Sequence, residues 1–371
     1  MDTAIAWTIG LPQRLAYGHN FLQPMQHGQQ VFVDKGAADD QELIEAATKR
    51  IERFGLTAEM VGAAVPTGSD SDRQMLLRWQ GGEVRYRVET KRGLRPALLG
   101  VVAHQIRSRG PDTLLVADHV SPPLAERLRA LGLQFVDTAG NAFLNHPPLL
   151  VWVKGERPLE PLTAPAAGRA FQASGLRVLF ALLAVSGLAR EPYRVIAQRA
   201  GVAHGTVGCV MAELPQLGFL AEIGGQRRLL QPERLLRQWV EAFARTLRPK
   251  LVLQTLRSPM IDWWRELDPR EFGLVIGGEA AAARLTGMIE PEVLTLYGAK
   301  ADMKRFMLRR PLRTDPRGNV EILQQFWHFD PDPPELAPTL LIYADLLATG
   351  DARCLEAARA LEGGILDRLA G

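Results

Sequence analysis

Hydrophobic positions recur along this chain with two periods, one helical and one extended. Between Gln41 and Phe54 the apolar residues Leu43, Ile44, Ala47 and Ile51 fall on one side of a 3.6-residue turn and predict an amphipathic helix. Shorter apolar runs follow, bounded by Gly, Asp and Pro. Met60 to Val65, Met75 to Trp79 and Val84 to Lys91 read as strands, Pro96 to Arg107 as a helix and Leu114 to Ala117 as a compact strand. Ser121-Pro-Pro123 puts a capping hydroxyl before a proline suited to the first helical turn, so a helix is expected to Leu131, where Gly132 ends it. Strands Leu133 to Val136 and Leu149 to Val153 complete a mixed α/β unit. Between them, Asp137-Thr-Ala-Gly-Asn-Ala-Phe143 is polar for a strand. It reads as a turn closed by an aspartate hydrogen bond, or as part of a nucleic-acid or partner site.

In the middle of the chain Leu176, Leu179, Phe180 and Leu183 set a helical stripe over Ser174 to Val185, which Gly187 terminates. Pro192 opens a short helix, Tyr193 to Ala200, with Ile196 and Ala197 inward. Gly201-Val-Ala203 then turns into a third helix, His204 to Leu217, whose buried face is Val207, Val210, Met211 and Leu214. Phe219 to Ile223 and Arg228 to Gln231 read as two strands around the Gly224-Gly225 hairpin. Helix, short helix, glycine turn, helix and hairpin is the order of a winged helix-turn-helix.

Breaks in the pattern give the organisation. Arg157-Pro-Leu-Glu-Pro-Leu-Thr-Ala-Pro-Ala-Ala-Gly168 cannot continue a helix or a central strand and reads as a linker, and a second break falls near Leu256 to Pro259. The chain of 371 residues then divides into an unassigned segment 1–40, an α/β unit 41–156, the linker 157–168, a middle unit 169–257 and a C-terminal unit 258–371. That is two or three times the usual domain size of about 100 to 200 residues.

Composition narrows the function classes. A chain that is 47% hydrophobic and 23% charged is an ordinary globular one. Its two cysteines, Cys209 and Cys354, lack the spacing of a disulfide framework or a zinc site and read as small buried hydrophobes. There is no basic leader with an apolar run, and no stretch approaches the roughly 18 apolar residues of a membrane span, so no membrane association and a cytoplasmic location are expected.

Net charge is only +3, yet Arg169 to Arg257 holds 13 Lys/Arg against 5 Asp/Glu. This basic segment is where a double-stranded DNA partner is expected. His204 and Thr206 at the start of the third helix can approach phosphates and base edges, where the helix dipole favours an anion. Arg194 and Arg199 on the preceding helix, with Gln226, Arg227 and Arg228 at the hairpin, supply contacts to the DNA backbone. A homodimer on an inverted-repeat operator is the matching arrangement. The competing reading is a trihelical module that makes protein contacts only, since the third helix is itself poor in Arg and Lys.

Val84-Arg-Tyr-Arg-Val-Glu-Thr-Lys91 alternates, so Glu89 and Lys91 share one side of a strand, with Asp72 a short strand upstream. An aspartate, then Glu-x-Lys on the next strand, then a helix and a further strand resembles the restriction-endonuclease-like fold. There, two carboxylates hold Mg²⁺ and the lysine orients water. A nuclease with a winged-helix targeting module is thus the alternative function, with Mg²⁺ as its cofactor. The simpler reading is a cross-strand ion pair, with no catalytic residue, metal or cofactor, as suits a regulator that leaves its operator intact.

In the last unit, Phe272 to Gly287 predicts strand, Gly277-Gly278 and helix, a geometry that can hold a phosphate or form a tight packing turn. A nucleotidyltransferase would need alternating carboxylates on a later strand, and Val293 to Tyr297 has none. Pro338 to Gly350 reads as a helix, and Asp351 caps another that runs through Leu361. The fold class expected is α+β multidomain: an endonuclease-like α/β unit, a central winged helix-turn-helix and a C-terminal α/β unit.

Several of these stretches together resemble the AbiEi-type antitoxins of type IV toxin–antitoxin (abortive infection) systems, which are transcriptional regulators. The likeness rests on the run Leu115 to Leu131, on Asp137-Thr-Ala-Gly-Asn141, on the winged helix and on Leu341 to Cys354. It implies repression of the protein's own operon through the winged helix, and neutralisation of a nucleotidyltransferase-like toxin without stable binding to it. The endonuclease-like first unit departs from the shorter members of that family.

Overall fold

The computed structural model describes residues 35–61, 73–157 and 168–370. Asp72, residues 62–65 of the first expected strand, most of the linker and nearly all of segment 1–40 lie outside the described residues. Helix α1 (Lys35–Glu52) buries the expected stripe of Leu43, Ile44, Ala47 and Ile51. Strands β1 (Thr57–Val61), β2 (Gln74–Trp79) and β3 (Gly82–Lys91) form an antiparallel meander. A 3₁₀ turn, Pro96–Leu98, leads into α2 (Leu99–Arg109), and then come β4 (Thr113–Ala117), α3 (Pro122–Ala130), β5 (Phe135–Asp137), β6 (Ala142–His146) and β7 (Leu149–Val153).

The seven strands make one sheet in sequence order, with β3, β4 and β5 parallel and the other pairs antiparallel. Because side chains alternate along a strand, Leu114 and Val116 face the α1 side while Leu115 and Ala117 face α2 and α3. All five residues of β4 are buried, as a central parallel strand covered on both faces requires.

The middle of the chain contains α4 (Ala173–Ala184), α5 (Tyr193–Ala200), α6 (His204–Glu213), the hairpin β8 (Leu220–Ile223) and β9 (Gln226–Leu229), and α7 (Pro232–Ala242). A π-helical turn, Phe243–Leu247, and α8 (Arg248–Leu251) extend α7. Trp239 anchors this region. Its ring stacks on Phe180 and Phe243, at 5.4 and 4.9 Å between centroids, and its Nε1 donates to the Leu176 carbonyl at 2.8 Å.

The rest of the chain is β10 (Val252–Arg257), β11 (Val275–Gly277), α9 (Gly278–Thr286), β12 (Leu294–Gly298), α10 (Lys300–Met307), β13 (Arg313–Thr314), β14 (Val320–Gln324), α11 (Thr339–Thr349) and α12 (Ala352–Ala370). Its five strands form a second sheet in the order β11, β12, β14, β10, β13. Asp351 accepts from the amides of Arg353 and Cys354, so it caps α12 as expected, although that helix continues well past Leu361. The chain is therefore a mixed α+β protein with several sheets, and one apolar core runs from α2 and α3 through α4 and α7 into the second sheet.

Three local features explain this packing. Asp137 is fully buried and its carboxylate accepts from the amides of Val120, Ala139, Gly140 and Asn141 and from the Asn141 side chain, all within 2.9 Å. The polar run after β5 is thus a turn wound around one carboxylate. At the Gly277-Gly278 turn, a Cβ would stand 2.7 Å from the Tyr297 ring or from Thr295 Oγ1, so both glycines serve close packing against β12.

At Gly100 on α2, a Cβ would lie 2.0 Å from the Leu347 carbonyl and 2.7 Å from the Gly350 backbone. Backbone meets backbone there, and neither side can yield by a rotamer change. Gly100→Ala is expected to lower stability by about 3 kcal/mol, the upper end of the cost of overpacking, as measured by urea unfolding.

Candidate nucleic-acid interface

Helix α6 begins at an uncapped N-terminus, since Ala203 offers no side-chain acceptor to the first turn. Its inner face is Val207, Val210 and Met211, all buried. Its outer face carries Gly205, Gly208 and Ala212 at helical spacing, with His204 exposed and Thr206 half-buried beside them. A Cβ at Gly205 or Gly208 would meet nothing within 4 Å. Each glycine in a helix costs about 1 kcal/mol relative to alanine, and no neighbour in this chain accounts for either of them. The face is smooth, unoccupied and electropositive at its start.

The hairpin is fastened to this helix pair by an arginine. Gly224 and Gly225 both take left-handed φ values, +61° and +73°, as a two-residue turn of this twist requires. Strand β9 consequently starts at Gln226, two residues before the expected Arg228, and α6 ends at Glu213 rather than Leu217. Arg227 donates to the carbonyls of Arg190 and Glu191, at 3.3 and 2.7 Å, and lies 4.8 Å from the Tyr193 ring centroid. Tyr193 in turn sits 6.1 Å from the His204 ring. Hairpin, start of α5 and start of α6 are thereby one contiguous surface, with Arg227 as its clamp instead of an open cation.

The other expected residues separate into two places. Gln226 and Arg228 are exposed on the hairpin and Arg194 on the first turn of α5. Arg199 is elsewhere. It lines a cleft of about 440 Å³ with Ser186, Phe329, Asp330 and Arg368, and its carbonyl accepts from the His328 amide at 2.9 Å. Among the described residues, Arg194, Arg199 and Arg228 make no ion pair. Sequence reasoning overlooks two contributors. Tyr193 looks like a core aromatic until its two ring neighbours are seen, and exposed Arg169 donates to Cys209 Sγ at 3.3 Å, which lays a further cation along α6.

Glu89 and Lys91 are brought together, 3.1 Å apart, at the α2 side of the first sheet. One oxygen of buried Glu89 is taken by Lys91 and the other by Arg109. Lys91 also reaches Glu241 of α7 at 2.5 Å, and Gln105 donates to that same carboxylate at 2.8 Å. Burial alone would lower the Lys91 ammonium, but Glu241 and Glu89 outweigh it and hold the group above its ordinary range. With both Glu89 oxygens held by cations, Glu89, Lys91, Arg109 and Glu241 form one charge network. They fit an ion-paired joint between the first sheet and α7.

No helix among the described residues is long and apolar enough to cross a membrane. No curated protein and no solved structure matches the chain. Residues 228–367, from the middle of β9 to the last turns of α12, match the model of a family described as "Transcriptional regulator, AbiEi antitoxin, Type IV TA system". Residues 228–367 are thus similar to the AbiEi antitoxins, the transcriptional regulators of type IV toxin–antitoxin systems.

Proposed function

We propose that α4, α5, α6 and the β8–β9 hairpin are a winged helix-turn-helix through which this regulator binds its operator. The protein acts as a homodimer on an inverted repeat and represses its own operon together with the gene of a nucleotidyltransferase-like toxin. The outer face of α6 carries this reading, because a helix with two glycines on that side suits close approach to a duplex. Thr206 and His204 at the uncapped end meet phosphate or base edges, while Arg194, Gln226 and Arg228 hold the flanking backbone. Arg227 and Tyr193 position the hairpin.

We further propose a three-unit organisation in which the first unit is restriction-endonuclease-like and serves as a scaffold. The order helix, three antiparallel strands, helix, parallel strand supports that fold, and the occupied Glu89 and Lys91 support the scaffold role. The test is a titration of the full chain with its own upstream DNA over a range of salt concentrations. Arg194→Ala/Arg228→Ala is expected to reduce the salt slope by about two, one for each lost phosphate contact. A slope identical to the parent's would dismiss these cations as backbone contacts.

A further inference from the structure

A second cationic surface lies in the C-terminal region, on α10 and the chain that follows it. Lys300 to Arg317 holds seven Lys/Arg against two Asp/Glu. Both acids are engaged, Asp302 with Arg305 and Asp315 with Arg257. Among the described residues, Arg309, Arg310, Arg313 and Arg317 make no ion pair. A charge surplus of this density on one short segment repels itself, and a polyanionic partner relieves the repulsion.

The surface also has a shaped centre. A cleft of about 450 Å³ opens between the end of β10 and the start of β13, lined by Arg257, Ser258, Arg310, Arg313 and Asn319, with no carboxylate in its wall. On one side Phe306, Trp263 and Arg310 adjoin in that order, the two rings tilted by 53°. The two rings are 5.8 Å apart and the guanidinium lies 4.9 Å from the indole centroid. Trp263 Nε1 donates to the Met260 carbonyl at 2.9 Å and to Ser258 Oγ at 3.2 Å, which fixes the indole against which Arg310 lies. Next along the chain stand Met260 and Leu308, exposed at 70% and 87%.

We infer that this cleft binds single-stranded nucleic acid, a phosphate seated between Arg310 and Arg313 and an unstacked base against the Arg310 guanidinium beside Trp263. Flat cations and aromatic rings are the platforms on which free bases stack. A duplex hides its bases and presents phosphates on a convex cylinder, which a concave site of this size cannot follow. An isolated nucleotide would fill the cleft but leave Lys304, Arg309 and Arg317 without a partner, so the occupant is a polymer. Two sugar chemistries share this description, RNA and single-stranded DNA.

The experiment is fluorescence anisotropy of the full chain with labelled mixed-sequence decanucleotides, one ribo and one deoxy, with the upstream duplex as a separate probe. At least one decanucleotide is expected to bind with salt-dependent affinity, and the tighter arm identifies the sugar. Arg310→Ala/Arg313→Ala is expected to weaken that binding at least 10-fold and to leave duplex affinity unchanged. Arg310→Lys, which keeps charge but loses the plane, is expected to fall between. Arg313→Glu changes an exposed residue and serves if the double variant unfolds. Binding of neither oligonucleotide, equal binding by all variants, or an equal loss for the duplex would overturn the assignment. The last outcome would place the cleft in the operator interface.

Discussion

A Gly208→Leu variant is expected to melt no lower than its parent and yet to lose specific operator binding. The two halves of this expectation have separate causes. Gly208 lies within α6 with open space where its Cβ would be, so a leucine there gains about 1 kcal/mol of helix propensity and its Cβ meets nothing in the chain. The same side chain stands in the middle of the outer face, between Gly205 and Ala212, and holds the helix away from any groove floor by several ångströms. Base-edge contacts vanish while peripheral arginines still find phosphates. Binding then falls to the non-specific level, roughly 10³-fold weaker or more. Thermal melts and a competition assay with unrelated duplex check the two halves. A variant that retains specific binding would show that α6 does not enter the DNA.

The second large effect concerns Arg248, whose guanidinium bonds Asp345 at 2.9 Å and Glu321 at 2.8 Å beneath the second sheet. Asp345 is 1% exposed and also receives the Tyr297 hydroxyl at 2.8 Å. Burial pushes the Asp345 carboxyl above its usual range, and Arg248 offsets part of that push. Arg248→Ala leaves the carboxylate buried without a countercharge and is expected to cost about 3 to 5 kcal/mol in urea unfolding at neutral pH.

The pH dependence has a definite sign. A carboxyl group whose folded pKa exceeds its unfolded value binds a proton more readily in the native state. Its contribution to stability is therefore present at low pH and lost as pH rises. The penalty in Arg248→Ala is expected to shrink on acidification toward the raised pKa, and Asp345→Asn in the same chain to restore much of the loss. A penalty that grows in acid would contradict the assignment of the buried charge.

Local pattern is enough to read most elements but not their partners. Helix α5 and strand β7 have the bounds that periodicity gives, because each has a one-sided or continuous apolar run closed by proline or glycine. Strand β6 is invisible in the sequence. Its apolar Ala142 to Leu144 follow directly on the Asp137 turn and give way to Asn145 and His146, too few alternations to register. Strand β9 opens on Gln226 and Arg227, polar residues that look like a loop until the Gly224-Gly225 turn fixes their pairing with Ile223 and Glu222.

The candidate site divides in the same way. Exposure of His204, Arg194 and Arg228 follows from helical and strand periodicity. The fates of Arg227, Arg199 and Lys91 depend on residues brought near by the fold, most plainly for Lys91 and Glu241, which are 150 positions apart. The second cationic surface escapes notice for another reason: outside the middle segment the charge averages to a negative value that conceals it.

The Arg227 clamp has a thermodynamic corollary. A hairpin already pinned through two carbonyls and an aromatic ring has few rotamers and little swing left to surrender, so association with a partner forfeits less disorder than a floating ribbon would. Any association through this hairpin is then closer to the seating of a rigid body than to folding upon contact.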